Sequence, residues 1–136
     1  MTASRAPERI ADRPLVLVVD DSEIAREAVK DTLESAGLRV VGLESAFGFI
    51  RTVREQNPAL ILLDVGLASM NGTKLVQLGR QHAPKSTRIV LYSGRSPEEL
   101  AVDARECGAD GFICKKTTDR ALILAVRGHV GTRSGS

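Results

Sequence analysis

Apolar residues in this chain come in short solid blocks, separated by stretches in which they recur every three or four positions. Leu15-Val16-Leu17-Val18-Val19 and Ala59-Leu60-Ile61-Leu62-Leu63 are the clearest blocks. Each is too short for a helix and aliphatic at every residue, the pattern of a strand buried on both faces of a parallel sheet. On this reading strands fall at 14–19, 38–43, 59–63, 87–92 and 111–114. The stretches between them read as helices. Ala25, Val29, Leu33 and Ala36 make a stripe at helical spacing over 23–36, with Ser22 as N-cap and Gly37 just past the end. Further helices are predicted over 45–56, stopped by Asn57-Pro58, and over 73–82, ended before Pro84. Ser96-Pro97-Glu98-Glu99 joins a capping serine, a first-turn proline and a glutamate three residues after the cap, and opens a helix to Cys107-Gly108. Thr117-Thr118 opens the last helix, which runs to about residue 130.

Five strands alternating with five helices predict an α/β fold: a flavodoxin-like, doubly wound, five-stranded parallel sheet in the order 2-1-3-4-5. The 136 residues fit one domain over 14–130, with a loose N-terminal tail over 1–13 and a frayed C-terminal tail over 131–136. No internal repeat is visible, and no output domain is expected beyond the last helix.

The polar residues that carry chemistry fall at strand ends. The first block stops at Asp20-Asp21, the third at Asp64, the fourth at Ser93 and the fifth at Lys115. In open α/β sheets the carboxyl ends of the strands are where ligands bind, and strands one, three and four are neighbours in the predicted order. Three carboxylates gathered there repel one another unless a cation neutralises them, and an oxygen-only set suits Mg²⁺. With the metal present, Asp64 is a candidate carboxylate nucleophile toward a phosphoryl donor, forming an aspartyl phosphate. Lys115 would supply positive charge for the phosphoryl oxygens and Ser93 a hydroxyl donor, while Gly94 leaves room for the group to approach. Taken singly, Asp20-Asp21 also reads as a charge pair at a helix N-terminus. The joint placement with Ser93 and Lys115 favours the site.

Composition narrows the partners. Nineteen basic against seventeen acidic residues leave a formal charge of +2, and aromatic residues are only 3%. Neither a phosphate-backbone footprint nor a base-stacking platform is present, so no nucleic-acid partner is expected. No apolar stretch approaches the roughly 20 residues of a spanning helix, and the N-terminal segment lacks the apolar middle of a signal peptide. A cytoplasmic protein without a membrane partner is the expectation. Cys107 and Cys114 are too far apart for Cys-x-x-Cys chemistry and read as buried free thiols. His82 and His129 read as helix-surface or helix-end residues.

The motifs Val18-Val19-Asp20-Asp21-Ser22, Leu62-Leu63-Asp64 with Asn71-Gly72, Tyr92-Ser93-Gly94, and Gly108-Ala109-Asp110-Gly111-Phe112-Ile113-Cys114-Lys115 stand in order at matching strand ends. Together they resemble a response-regulator receiver domain of the stand-alone, chemotaxis-regulator-like kind, over roughly 14–130. The resemblance implies that Asp64 accepts a phosphoryl group from a histidine kinase or phosphotransfer protein and passes the signal to an effector protein. It implies direct Mg²⁺ binding by Asp21, largely water-mediated binding by Asp20, and a backbone carbonyl ligand from Gly66. Ser93 and Phe112 would form the switch pair, and the output surface would lie around 95–127. By the same resemblance the chain catalyses only its own phosphorylation and dephosphorylation.

Two positions depart from the pattern. Ala68 replaces a usual proline, which makes that loop less rigid. Lys116 replaces a proline that usually follows a cis bond; a cis bond before lysine costs about 3–4 kcal/mol, so a trans or strained bond is expected. These departures support an alternative, a phosphorylation-independent docking module. A haloacid-dehalogenase-type phosphatase would need Asp-x-Asp where Ser22 stands, and dinucleotide binding would need a glycine-rich turn in place of Asp20-Asp21-Ser22. Arg95, two residues after Ser93, is placed near the pocket mouth, where it could bias hydrolysis.

Overall fold

The aliphatic blocks set the sheet and its register. The computed structural model describes residues 9–65 and 72–131. Its strands are β1 (Leu15–Val19), β2 (Arg39–Leu43), β3 (Leu60–Leu63), β4 (Arg88–Ser93) and β5 (Gly111–Cys114). The helices are α1 (Glu23–Ser35), α2 (Phe49–Gln56), α3 (Gly72–His82), α4 (Pro97–Cys107) and α5 (Asp119–Val130). The strands form one parallel sheet in the order β2-β1-β3-β4-β5, as the alternation predicts.

Alternate residues of each strand feed two apolar layers. Val16, Val18, Leu60, Leu62 and Val90 pack with Val29 and Leu33 of α1 and with Leu122 and Val126 of α5. Leu17, Val19, Ile61, Leu63 and Leu91 pack on the other face with Phe49, Leu75 and Leu100 of α2, α3 and α4. Every residue of β1 and β3 is therefore buried, which is why neither run alternates with polar residues. Each such side chain contributes roughly 1.5–3 kcal/mol by leaving water.

Register decides what meets at the carboxyl edge. Val19 pairs with Leu63, and Leu63 with Leu91, so β1 and β3 end level and release Asp20 and Asp64 side by side. β4 continues to Ser93, which lies opposite Cys114, and the Lys115 N–H donates to the Ser93 carbonyl at 2.7 Å.

The predicted caps form. The Ser22 Oγ accepts from the Ala25 N–H, Ser96 and Glu99 make a reciprocal capping box behind Pro97, and the Thr118 Oγ1 accepts from the Ala121 N–H. Among the described residues every peptide bond is trans, Lys115-Lys116 included.

Three expectations need correction. The second helix starts at Phe49, not near 45. Ser45 turns its hydroxyl onto the Phe47 N–H at 3.1 Å, a local bond that competes with helix. Gly48 then takes φ +80° and reorients the chain. Phe49 is thereby buried, while Phe47 is left 89% exposed. The segment over 1–13 is not loose throughout, because Ile10–Asp12 form a 3₁₀ turn and the Arg39 guanidinium donates to the Arg13 carbonyl at 3.0 Å. Cys107 and Cys114 are free as expected, but only partly buried. His82 and His129 both lie near helix ends and are partly exposed.

Candidate functional site

Asp20 is the most enclosed polar residue at the carboxyl edge, with no exposed surface. Each of its polar groups is engaged. Its N–H donates to the Leu43 carbonyl at 3.0 Å, and its own carbonyl accepts from the Arg26 guanidinium at 2.8 Å. One carboxylate oxygen accepts from the Ser22 N–H at 2.9 Å and the other from the Lys115 ammonium at 2.7 Å. The same ammonium reaches Asp64 at 3.3 Å. Lys115 thus bridges two carboxylates that come from different strands.

Asp21 differs. It is exposed and makes no side-chain hydrogen bond or ion pair among the described residues. Asp20, Asp21 and Asp64 each present a carboxylate oxygen within 4.8 Å of the others. Opposite ligands of an octahedral Mg²⁺ lie about 4.2 Å apart, given bonds near 2.1 Å, so these oxygens fit a shared ion after a small closure. Three carboxylates against one ammonium leave an excess of negative charge, which also favours a divalent cation. On the chemistry of its donors, the residue set fits the metal.

Burial pulls the Lys115 pKa down, but the hydrogen bond that Lys115 donates to Asp20 and the charge of Asp64 outweigh it and hold the group above its ordinary value. Lys115 is therefore an ammonium at neutral pH. It also lies over the Tyr92 ring, 5.4 Å from the centroid. Burial raises the Tyr92 phenol, and the nearby Lys115 opposes that rise.

Ser93 is buried at the end of β4, its Oγ accepting from the Arg95 N–H at 3.2 Å. A Cβ placed on Gly94 would meet no atom within 4 Å, so the space beside Ser93 is open. Phe112 pairs with Leu91 and is partly buried against the layer under α2, α3 and α4. Strand alternation puts it on the same sheet face as Ser93, two residues back along the register. Arg95 is turned along α4, paired with Asp103 at 2.9 Å and Glu99 at 3.8 Å. The structure thus brings together Asp20, Asp21, Asp64 and Lys115, with Ser93 on the adjoining strand end. Gly66, Ala68 and Asn71 lie outside the described residues.

A model of the response regulator receiver domain family matches residues 16–127 of this sequence. The chain belongs to the response regulator receiver family. Receiver relatives include the transcriptional regulatory protein FixJ of Azorhizobium caulinodans, 32% identical over 117 residues, which cover 85% of this chain and 54% of that protein. The virulence factors putative positive transcription regulator BvgA of Bordetella pertussis is 28% identical, over 82% of this chain and 54% of its own. This receiver chain spans about half the length of the curated relatives it matches. Among solved structures, the chemotaxis response regulator CheY4 of Vibrio cholerae aligns with a TM-score of 0.76 at 27% identity, covering 86% of this chain and 98% of that one. A CheY-like receiver from Methanospirillum hungatei shares the fold, with a TM-score of 0.77 at 24% identity over 88% of this chain and 94% of that one. Among the described residues no helix of this receiver is long and apolar enough to cross a membrane.

Two residues at the site escape a reading based on strand ends. Tyr92 stands in the Tyr92-Ser93-Gly94 motif at a strand end, but its place under the Lys115 ammonium carries no signal in the sequence. Arg26 lies three and seven residues before Val29 and Leu33, in the inward stripe of α1, and a cation in an apolar stripe was the available signal.

Proposed function

We propose that this receiver accepts a phosphoryl group on Asp64 from a phosphohistidine of a histidine kinase or phosphotransfer protein. The observation that carries the reading is the bridging of Asp20 and Asp64 by Lys115, with the exposed Asp21 alongside. Asp64 supplies a carboxylate oxygen that bonds to phosphorus as the bond to the donor imidazole nitrogen breaks. The Lys115 ammonium, already 3.3 Å from Asp64, turns to the phosphoryl oxygens, and the Ser93 hydroxyl donates to another. Asp21 and Asp64 would hold Mg²⁺ directly and Asp20 largely through water, with the Gly66 carbonyl as the further ligand that the family resemblance implies, and the ion would supply charge stabilisation for those oxygens. Asp21 is better suited to direct ligation than Asp20, whose two oxygens already have protein donors. In Mg²⁺ titrations Asp21→Ala weakens binding more than Asp20→Ala, and the opposite ranking would reverse the assignment.

The switch in this proposal is Ser93 with Phe112: the hydroxyl moves toward the phosphoryl group and the ring follows inward, a population shift between two arrangements. The output surface is the face of α4, β5 and α5 over 95–127, read by an effector protein. The exposed Val102 and Leu124 on α4 and α5 suit that role. The chain acts in the cytoplasm on this reading and catalyses only its own phosphorylation and dephosphorylation. Binding of beryllofluoride, which mimics the aspartyl phosphate, is expected to shift NMR resonances from the acidic pocket through Phe112 to α4 and α5. Shifts that stop at the pocket favour the docking-module alternative.

A further inference from the structure

We infer that Arg26 is a positioning residue for the acidic pocket and that Gly42 lacks a side chain so that Arg26 can reach it. The inference rests on the proposed metal site for its functional meaning, while its structural part stands on contacts alone. Arg26 is in the second turn of α1, on the face turned toward the sheet. Its stem crosses β2 at Gly42, where a Cβ added to the glycine would fall 2.9 Å from Cδ, 3.0 Å from Cγ and 3.4 Å from Nε of Arg26. Beyond that crossing, Nη1 donates to the Asp20 carbonyl at 2.8 Å.

The neighbouring bonds explain why this contact matters. Asp20 hangs from β2 through its N–H to Leu43, and the Ser22 N–H folds back onto the Asp20 carboxylate. The Arg26 bond is the third tie on the same turn, and it joins α1 to the residue that β1 delivers. Asp21 lies between Asp20 and Ser22 and has no side-chain tie of its own among the described residues, so its direction follows from theirs. A partner of this kind acts by orienting ligands it does not replace. Charge cannot be the benefit, because a guanidinium near the pocket repels Mg²⁺. Any support that Arg26 gives to metal binding must come from geometry.

That opposition of charge and geometry selects the experiment. Gly42→Val keeps the guanidinium on the molecule but pushes its stem aside. The three atoms nearest the new Cβ all belong to this flexible side chain, so the stem of Arg26 is what the substitution meets first. Amide hydrogen exchange in the metal-free protein is read at Asp20 and Ser22, whose N–H groups are both bonded in this turn. We expect exchange there to quicken about fivefold in Gly42→Val, and Mg²⁺ affinity to fall about tenfold, the lower end for outer-shell partners. The same substitution made in an Arg26→Ala background should change neither quantity, since no stem remains to displace. The charge effect of losing Arg26 cancels within that background. Thermal unfolding checks that Gly42→Val stays folded, and Gly42→Ala serves as a milder variant if it does not.

Equal effects of the glycine substitution in the two backgrounds would overturn the inference, as would unchanged exchange at Asp20 and Ser22. If the wild type binds no Mg²⁺, the metal-site reading fails, while the exchange measurement still decides whether Arg26 holds the turn. If Mg²⁺ binds normally and Asp64 takes no phosphoryl group, the phosphoryl-acceptor reading fails and the positioning role is decided as before.

Discussion

An Asp64→Asn protein incubated with Mg²⁺ and a small phosphodonor gains no phosphoryl mass on intact-mass spectrometry, whereas the wild type does. The carboxamide is nearly isosteric and its oxygen can still accept from Lys115, so the fold has no cause to change. What disappears is the anionic oxygen that bonds to phosphorus. The two remaining carboxylates are poor substitutes. Asp20 is fully buried with both oxygens engaged, and Asp21 makes no ion pair with Lys115. A fall of at least about a hundredfold in labelling rate, some 2.7 kcal/mol of barrier, is expected. Labelling at the wild-type rate would remove Asp64 from the acceptor role.

Replacing Lys115 by methionine tests the charge balance of the same pocket. Methionine keeps an apolar stem beside Tyr92 but leaves the fully buried Asp20 without its 2.7 Å partner. Breaking a buried ion pair costs about 3–5 kcal/mol, and the partial exposure of Lys115 with the retained Ser22 N–H brings the expected loss nearer 2 kcal/mol. The pH dependence has a definite sign. The Lys115 pKa is raised in the folded protein, so its contribution is complete below the unfolded value of about 10.4 and is lost as pH climbs through the folded value. The gap between wild type and Lys115→Met should therefore be constant from about pH 6 to 9 and close in more alkaline solution. Mg²⁺ should also raise the Tm of Lys115→Met more than that of the wild type, because the ion replaces the missing positive charge. Urea titrations from pH 6 into the alkaline range check the first statement, and thermal unfolding with and without Mg²⁺ checks the second. Equal stability and an equal Mg²⁺ response in the two proteins would mean that Lys115 does not neutralise the cluster.

The fold was legible because its central strands β1 and β3, and nearly all of β4, are buried on both faces. Five aliphatic residues in a row at 15–19 have few other solutions, and the helix ends carried strong signals at Ser22, Ser96-Pro97 and Thr118. The start of α2 was not legible, because periodicity cannot detect a serine hydroxyl capturing the Phe47 N–H ahead of Gly48. The turn at Ile10–Asp12 was hidden for a related reason: three residues are too few to show a period. At the site, acids at the ends of β1 and β3 were readable, since each follows directly on the last aliphatic residue of its block and those last residues, Val19 and Leu63, pair with each other. Arg26 was legible only as a cation in the inward stripe of α1, because its partner is a backbone carbonyl, which no residue type reveals.

The hydrogen bond from the Lys115 N–H to the Ser93 carbonyl has a mechanical consequence. The hydroxyl of one strand end and the ammonium of the next hang from a single rung of the ladder, so neither can be repositioned without dragging the other. An insertion, deletion or bulge within the four residues of β5 would break that rung and carry the ammonium out of step with the hydroxyl. Re-engineering of this pocket has its freedom in the choice of side chain, and very little in the spacing of the chain.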